Sequence, residues 1–253
     1  MPRNFLFVLC CAGCFTGTML GQSVIFDPSI PADVRPMFLA IASDICSIEV
    51  GMFDGPPPLD LPIIISLGAP ETDLDNWKQP HIFFIKTTVP KEWPDQFAFQ
   101  FAHEMGHVMM NPHGRNTGII DALCAALSLE LLTRLSLKWR TEPPIERLRN
   151  VDLRHYKDRN DDYFLKYEPP QIVAALNNGD WQTVRDYLRS HRSEWKAISA
   201  GERYRILQYE ASILIVAGPV NWAQFRNIGE CKSAGCKKPL QEIECRIDSV
   251  CKN

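Results

Sequence analysis

The sequence predicts an α+β fold in which a small sheet forms first and helices follow. Two compact apolar runs of strand length, LPIIISL at 61–67 and HIFFIKTTV at 81–89, are rich in β-branched and aromatic residues. From Asp95 onward the chain carries helix-patterned segments that end at glycine or proline. Strands that come first, with helices after them, are typical of α+β proteins.

The first 22 residues have the layout of a secretory signal peptide. Arg3 precedes an apolar run from Phe5 to about Phe15, and small residues follow up to a predicted cleavage near Gly21 or Gln22. This run is too short to span a bilayer, and no later stretch is long and apolar enough for a membrane helix. We therefore expect a secreted or periplasmic protein. Lipoprotein anchoring is not expected, because the apolar run before Cys14 is very short.

The mature chain is predicted to begin with a short strand and a helix over 33–48. The segment DGPPPLD at 54–60 indicates a stiff turn, because its three prolines fix φ. A loop over 69–80 is predicted to separate the two strands. Pro94 and Asp95 then suit the first turn of a helix.

Helices account for most of the remaining chain. The first is predicted over 95–110, and the second over 117–139, before the breaker TEPP. Further helices are predicted near 145–157, 170–177, 181–195 and 200–217. We expect a single domain over 23–222 and a cysteine-rich tail over 223–253.

Cysteine usage fits an exported chain. Three of the nine cysteines lie in the predicted signal peptide, which leaves six. An even number of cysteines outside the cell predicts disulfides, and two bridges are expected among the four tail cysteines. Cys124 is either bridged or a free buried thiol. The tail cysteines are Cys231, Cys236, Cys245 and Cys251.

Composition argues against one class of partner. The chain has 27 basic and 30 acidic residues, a formal net charge of −3, and 45% of its residues are hydrophobic. A core can therefore form. No basic stripe is present, so nucleic acid is not an expected partner.

The segment FAFQFAHEMGHVMMNPH contains the candidate metal ligands and a candidate general base. His103 and His107 lie four residues apart on a predicted helix, which places both imidazoles on one face where they can bind one Zn²⁺. Glu104 is rotated by about 100° from His103 and need not ligate. It can instead take a proton from a water whose pKa zinc lowers to about 7. The alternative is an ordinary amphipathic helix that contains two histidines.

This spacing is the H-E-x-x-H motif of zincins. Gly106 inside the motif costs about 1 kcal/mol in a helix interior, which favours a place where another segment packs closely. A catalytic zinc site uses three protein ligands and one open position, so a third ligand is needed.

Two residues compete for the third ligand position. His113 has the spacing of the metzincin pattern, but Met110 stands where that pattern has glycine, and no methionine follows for a methionine turn. Asp121 opens the next predicted helix, where a carboxylate is also favoured by the helix dipole alone. Glu130 lies about half a turn off the face of Asp121 and is a distant reserve.

The stretches FAHEMGHVMMN and DALCAALSLELL resemble a group of bacterial exported zincin-like proteins of the gluzincin type. The resemblance is confined to the region around the motif. It implies a zincin-like fold, with a small N-terminal sheet, an active-site helix and a mainly helical C-terminal part. It also implies Asp121 as the third ligand, at a position where these proteins usually carry the longer glutamate.

We therefore expect a secreted zinc metallopeptidase that acts on a peptide or protein. His103, His107 and Asp121, with His113 as the alternative, hold Zn²⁺, and Glu104 is the general base. Candidates for an oxyanion stabiliser are His155, Tyr156, His191 and Tyr204. Two alternatives remain: a catalytically inactive zincin-like binding module, which Asp121 in place of glutamate would favour, and a metal-free envelope-associated structural protein.

Overall fold

The computed structural model describes residues 16–19, 22–57, 63–67, 71–73, 83–87, 93–110, 117–196, 202–230 and 238–248. Within these residues a five-stranded sheet has the order β1-β2-β3-β5-β4. β2, β3 and β5 are parallel, and β1 and β4 pair antiparallel at the two edges. The strands are β1 (Thr16–Met19), β2 (Gln22–Phe26), β3 (Ile63–Leu67), β4 (Glu71–Asp73) and β5 (Phe83–Thr87).

Helices make up most of the described chain, which confirms the α+β class. They are α1 (Arg35–Met52), α2 (Pro94–Met110), α3 (Gly118–Thr141), α4 (His155–Phe164), α5 (Pro170–Asn178), α6 (Trp181–Ser190), α7 (Arg192–Lys196), α8 (Glu202–Val216) and α9 (Lys238–Asp248). No helix among these residues is long and apolar enough to cross a bilayer.

The sheet and the first two helices share one core. Val24 in β2 pairs with Ile63 in β3, and the alternate side chains Val24, Phe26, Ile63 and Ile65 on this face are fully buried. This is the period of two that a half-buried strand requires. Phe38 of α1 stacks on Phe97 of α2 with 3.9 Å between ring centroids. Phe38, Phe97 and the buried strand residues belong to one hydrophobic core, which joins the sheet to α2, the helix that carries the H-E-x-x-H motif.

The pair α2 and α3 forms the centre of the molecule, and α1 fixes the far end of α3. Asp44 of α1 accepts hydrogen bonds from Trp139 Nε1 at 2.7 Å and from Lys138 Nζ at 2.8 Å. Trp139 is fully buried, so its indole N–H needs this partner. The long helix α3 is thus held at its C-terminal end as well as along its side.

The predicted helix over 145–157 is wrong. A 3₁₀ turn occupies Glu146–Leu148, and α4 begins only at His155. Between them Asn150 has φ of 61°, a left-handed conformation that interrupts a right-handed helix. The predicted helix over 181–195 is also divided, because α6 ends at Ser190 and α7 starts afresh two residues later.

Two edge strands lie where the sequence predicts other structure. β4 falls inside the predicted loop over 69–80, and it is only three residues long. β1 falls inside the predicted signal peptide and pairs with β2. Cleavage near Gln22 would remove β1 and leave β2 at the edge of the sheet.

The cysteine-rich tail contains a helix that the sequence analysis missed. Ile243 and Ile247 of α9 are buried, and Arg246 Nη1 donates a hydrogen bond to the backbone oxygen of Ile215 at 2.9 Å. Cys245 is disulfide-bonded, while two disulfides in the tail stay a prediction. The described cysteines outside the tail, Cys46 and Cys124, are free and buried. Of the two alternatives for Cys124, the structure therefore has the free buried thiol.

Candidate metal centre

One face of α2 carries the two histidines of the motif. Asp95, Phe99, His103 and His107 recur every four residues, so their side chains project from the same side of the helix. Asp95, in the first turn, forms an ion pair with Arg159 of α4. That contact holds α4 beside the N-terminal part of α2.

The start of α3 supplies the third side chain. Thr117 caps this helix, since its side-chain oxygen accepts from the backbone N–H of Ile120 at 3.4 Å. Gln208 of α8 donates from Nε2 to the backbone oxygen of Gly118 at 2.6 Å, which fixes the same end from outside. Asp121 then lies in the first turn, where the helix dipole favours a carboxylate.

Three ligand-type atoms converge between the two helices. Oδ1 of Asp121 lies 3.1 Å from Nε2 of His103 and 3.3 Å from Nε2 of His107. The two imidazole Nε2 atoms are themselves 3.3 Å apart. The atoms form a nearly equilateral triangle with one oxygen corner and two nitrogen corners.

The triangle has the dimensions of a divalent metal site. Zinc binds imidazole nitrogen and carboxylate oxygen at about 2.0–2.2 Å, and tetrahedral angles then separate two ligand atoms by about 3.3–3.6 Å. The observed separations of 3.1 and 3.3 Å are close to this range. The side chains of His103 and Asp121 are each 19% exposed, so the group has a solvent-facing side on which a fourth ligand can bind.

The metal-free group is electrostatically coupled. Burial lowers the pKa of His103, but the hydrogen bond and negative charge of Asp121, together with the charge of Glu104, outweigh burial and raise that pKa overall. Burial acts in the opposite sense on Asp121, yet hydrogen bonds from both histidines and their charges bring its pKa well below the usual value. The site therefore favours one positive charge opposite a carboxylate.

Glu104 follows His103 in α2 and contributes no atom to the triangle. Its side chain is buried, with 4% of the residue exposed. Its charge contributes to the raised pKa of His103, so the carboxyl group lies within electrostatic range of the triangle.

Close packing at Gly106 confirms the prediction that another segment approaches α2 within the motif. A Cβ atom built on Gly106 would lie 3.1 Å from Sγ and 3.4 Å from Cα of Cys124, and 3.2 Å from Cδ2 of Leu127. The neighbour is α3, the helix that carries Asp121.

An aromatic wall lines one side of the site. The Phe99 ring lies 6.3 Å from the His103 ring, and the Tyr156 ring lies 4.5 Å from the Phe99 ring. Of the proposed oxyanion stabilisers, Tyr156 is thus separated from the triangle by one ring. His191 instead lies at the end of α6, where its Nδ1 is 2.9 Å from the backbone oxygen of Tyr187.

Two other candidates from the sequence are not seen in this group. Glu130 accepts a hydrogen bond from Trp222 Nε1 at 2.7 Å and pairs with Arg134 at 2.5 Å, so this reserve ligand has a structural role. His113, the alternative third ligand, lies outside the described residues, as does the side chain of Tyr204.

The sequence gives no indication that one acid, Glu49, is buried. Glu49 of α1 is 1% exposed, and neither of its carboxyl oxygens has a hydrogen-bond partner among the described residues. Burial raises its pKa well above the usual value. Its charge helps to raise the pKa of the thiols of Cys46 and Cys124, so Glu49 lies within electrostatic range of Cys124 on α3. A glutamate on a helix gives no local indication that it will be buried.

Comparisons with family models, with curated proteins and with solved structures return no match to this chain.

Proposed function

We propose that the protein is a zinc-dependent peptidase with a zincin-like arrangement of its active-site helix. The observation that carries the proposal is the convergence of His103 Nε2, His107 Nε2 and Asp121 Oδ1 within 3.3 Å of one another, next to the buried carboxyl group of Glu104. A sheet before the motif helix and a carboxylate from the next helix are the features that a gluzincin-type arrangement requires.

The residues present fit the metal. Two imidazoles and one carboxylate are the kind of ligand set that catalytic zinc takes, and they leave one position open. When bound, a zinc ion lowers the pKa of a coordinated water to about 7 and polarises a carbonyl oxygen. His103, His107 and Asp121 would hold the ion.

Glu104 is the general base of the proposed reaction. It accepts a proton from the attacking water, and its burial keeps bulk solvent from competing for that proton. As the peptide bond breaks, the protonated carboxyl group returns the proton to the leaving amine. One residue thus acts first as base and then as acid, and the proton count is balanced over the cycle.

The identity of residue 104 decides between two kinds of metal chemistry. Two histidines and one carboxylate also suit Fe(II) in oxygenases. Such an oxygenase site needs open positions for its co-substrates and has no use for a buried general base beside the ligands. Glu104 next to His103 therefore favours hydrolysis. The substrate we propose is a peptide or protein that meets the enzyme outside the cytoplasm, in keeping with the predicted signal peptide.

Metal content and hydrolysis, measured together on the same samples, test the proposal. Wild type should bind zinc and hydrolyse a mixture of unstructured peptides. Glu104→Gln should bind zinc equally well and lose about 10²–10⁴-fold in rate, the usual contribution of a general base. Glu142→Gln, at an exposed acid at the end of α3, is the matched control and should resemble wild type.

The same measurements separate the two alternatives. A zinc-bearing binding module would contain metal in both proteins and hydrolyse nothing in either. A metal-free structural protein would contain no zinc, and a chelator would leave its unfolding temperature unchanged. Either result would overturn the proposal.

A further inference from the structure

Helices α2 and α3 approach each other closely at Gly106, inside the motif. Gly106 lies three residues after His103 and one before His107, and the atoms nearest to its missing side chain all belong to α3. The two tightest of these contacts would be to side-chain atoms, at 3.1 Å from Sγ of Cys124 and 3.2 Å from Cδ2 of Leu127, and Cα of Cys124 would lie at 3.4 Å. A Cβ atom at 106 would therefore require these neighbours on α3 to give by a few tenths of an ångström.

The carboxylate that faces the histidines is carried on the same part of α3. Asp121 precedes Cys124 by three residues, just under one helical turn. Its short side chain already brings Oδ1 to 3.1 Å from His103 and 3.3 Å from His107. A glutamate has one more methylene, which adds about 1.5 Å of reach. With α3 this close, the added length would carry the carboxylate past the triangle or force it to fold back.

We infer that Gly106 is a positioning residue that sets the distance between the two helices, and that this distance is why aspartate, and not glutamate, is the matching third ligand in this chain. The inference rests on the metal site of the proposed function. It needs neither hydrolysis nor a particular substrate. It also explains why a motif interior tolerates a residue that is unfavourable in helices.

Zinc affinity should be sensitive to a change in the spacing of the two helices, because metal–ligand distances vary little. These distances are held to within about 0.2 Å, and the few tenths of an ångström by which the α3 side chains of Cys124 and Leu127 must give at a Cβ atom on 106 are of that size. Gly106→Ala should therefore weaken zinc binding by about 10–100-fold, the loss usual when a residue that orients a ligand is changed. Asp121→Glu alone should also weaken binding, although glutamate is an excellent zinc ligand elsewhere.

The decisive variant combines both changes. In Gly106→Ala/Asp121→Glu the longer side chain spans the wider gap, so zinc should bind more tightly than to either single variant. Affinities would be measured by competition with a chromophoric chelator, and the Co²⁺-loaded proteins would report ligand geometry through their visible absorption. Gly51→Ala is the matched control, because a Cβ atom at this helical glycine of α1 meets nothing within 4 Å. It should bind zinc like wild type.

Each outcome has a definite meaning. If Asp121→Glu binds zinc as tightly as wild type, or if the double variant binds more weakly than both single variants, the inference is overturned. The Asp121→Glu result stands even if Gly106→Ala fails to fold. A wild type that binds zinc and hydrolyses no peptide would overturn the proposed function and leave this inference intact. A wild type that binds no divalent ion would overturn both.

Discussion

Asp121 Oδ1 lies 3.1 Å from His103 Nε2, across a sequence separation of 18 residues and between two different helices. His103 and His107 are paired by helix periodicity alone, but the carboxylate reaches them only because α3 packs along α2. The candidate centre is therefore a product of tertiary packing, and its third side chain is the one that most needs testing.

Replacing Asp121 should empty the metal site. Asp121→Ala removes the one oxygen in the triangle and leaves two imidazoles, which are too few to hold zinc as a catalytic site does. We expect a loss of zinc affinity larger than the roughly 10–100-fold that follows loss of an outer-shell partner. Equilibrium dialysis with metal analysis measures it.

His113→Ala and Glu142→Ala serve as comparisons for that substitution. Neither residue belongs to the triangle, and Glu142 is exposed at the C-terminal end of α3. Both variants should keep their zinc. If His113→Ala empties the site and Asp121→Ala does not, the metzincin-like alternative for the third ligand is correct and the geometry at Asp121 is incidental.

Stability of the metal-free protein should depend on pH through the same pair. The raised pKa of His103 stabilises the fold fully below the pKa of an unfolded histidine, about 6.5, and this stabilisation is lost as pH rises through the raised value. The lowered pKa of Asp121 stabilises the fold above about 3.9, and this is lost as pH falls through the lowered value. The pair thus contributes most between about pH 4 and 6.5.

Chemical unfolding at a series of pH values in the presence of a chelator measures this contribution. His103→Gln should flatten the decline of the unfolding free energy above about pH 6.5, whereas His155→Gln, on α4, should preserve it. An unchanged slope in His103→Gln would mean that the imidazole and Asp121 are not coupled in solution. With zinc present the trend should reverse, because metal binding requires neutral imidazoles and is favoured as pH rises.

Local patterns were enough to locate the motif helix and its neighbours. Apolar runs predicted β3 and β5, the proline and aspartate at 94 and 95 predicted the start of α2, and the i, i+4 spacing predicted that His103 and His107 share a face. These features depend on residues that are adjacent along the chain. Asp121, at the start of α3, was a candidate because the stretches around the motif resemble gluzincin-type proteins, in which the next helix supplies a carboxylate.

Features that depend on distant packing were not predictable. Nothing local to α9 indicates that Ile243 and Ile247 bury themselves in a core built elsewhere. β4 is an edge strand of three residues whose hydrogen bonds come from β5, so it has no period of its own. Sequence alone also left the third ligand open, because the side-chain length that reaches the histidines depends on how closely α3 approaches Gly106.

Glu49 is expected to lower stability as pH rises. Its raised pKa means that the folded state keeps a proton that the unfolded chain releases above about pH 4.3. Between that pH and the raised pKa, each pH unit costs about 1.4 kcal/mol. Glu49→Gln, which resembles the protonated acid, should therefore be more stable than wild type at neutral pH.

The difference in unfolding free energy between Glu49→Gln and wild type should grow from pH 5 to pH 7, and urea unfolding at each pH measures it. The exposed substitution Glu142→Gln should show no such growth. A Glu49→Gln variant that is less stable than wild type at every pH would indicate that the carboxyl group makes contacts that an amide cannot replace.

Ile247 should tie the cysteine-rich tail to the rest of the fold. The side chain is fully buried in the same core cluster as residues of α6 and α8. Ile247→Ala should therefore lower the free energy of unfolding by about 2–5 kcal/mol, the usual cost of such a truncation in a packed core. Glu242→Ala, on the same helix, removes only an exposed pairing with Lys238 at 3.8 Å and should cost less than about 0.5 kcal/mol.

The form of the unfolding transition distinguishes an integral tail from an appended one. With the disulfide of Cys245 kept oxidised, a tail that is part of the main core should unfold with it in one step, because α9 packs against α6 and Arg185 Nε donates to the backbone oxygen of Arg246 at 2.9 Å. Tryptophan fluorescence and far-ultraviolet circular dichroism should then give the same midpoint in wild type and shift together in Ile247→Ala. A separate early transition, sensitive to Ile247→Ala while the main midpoint stays fixed, would show instead that the tail folds as its own unit.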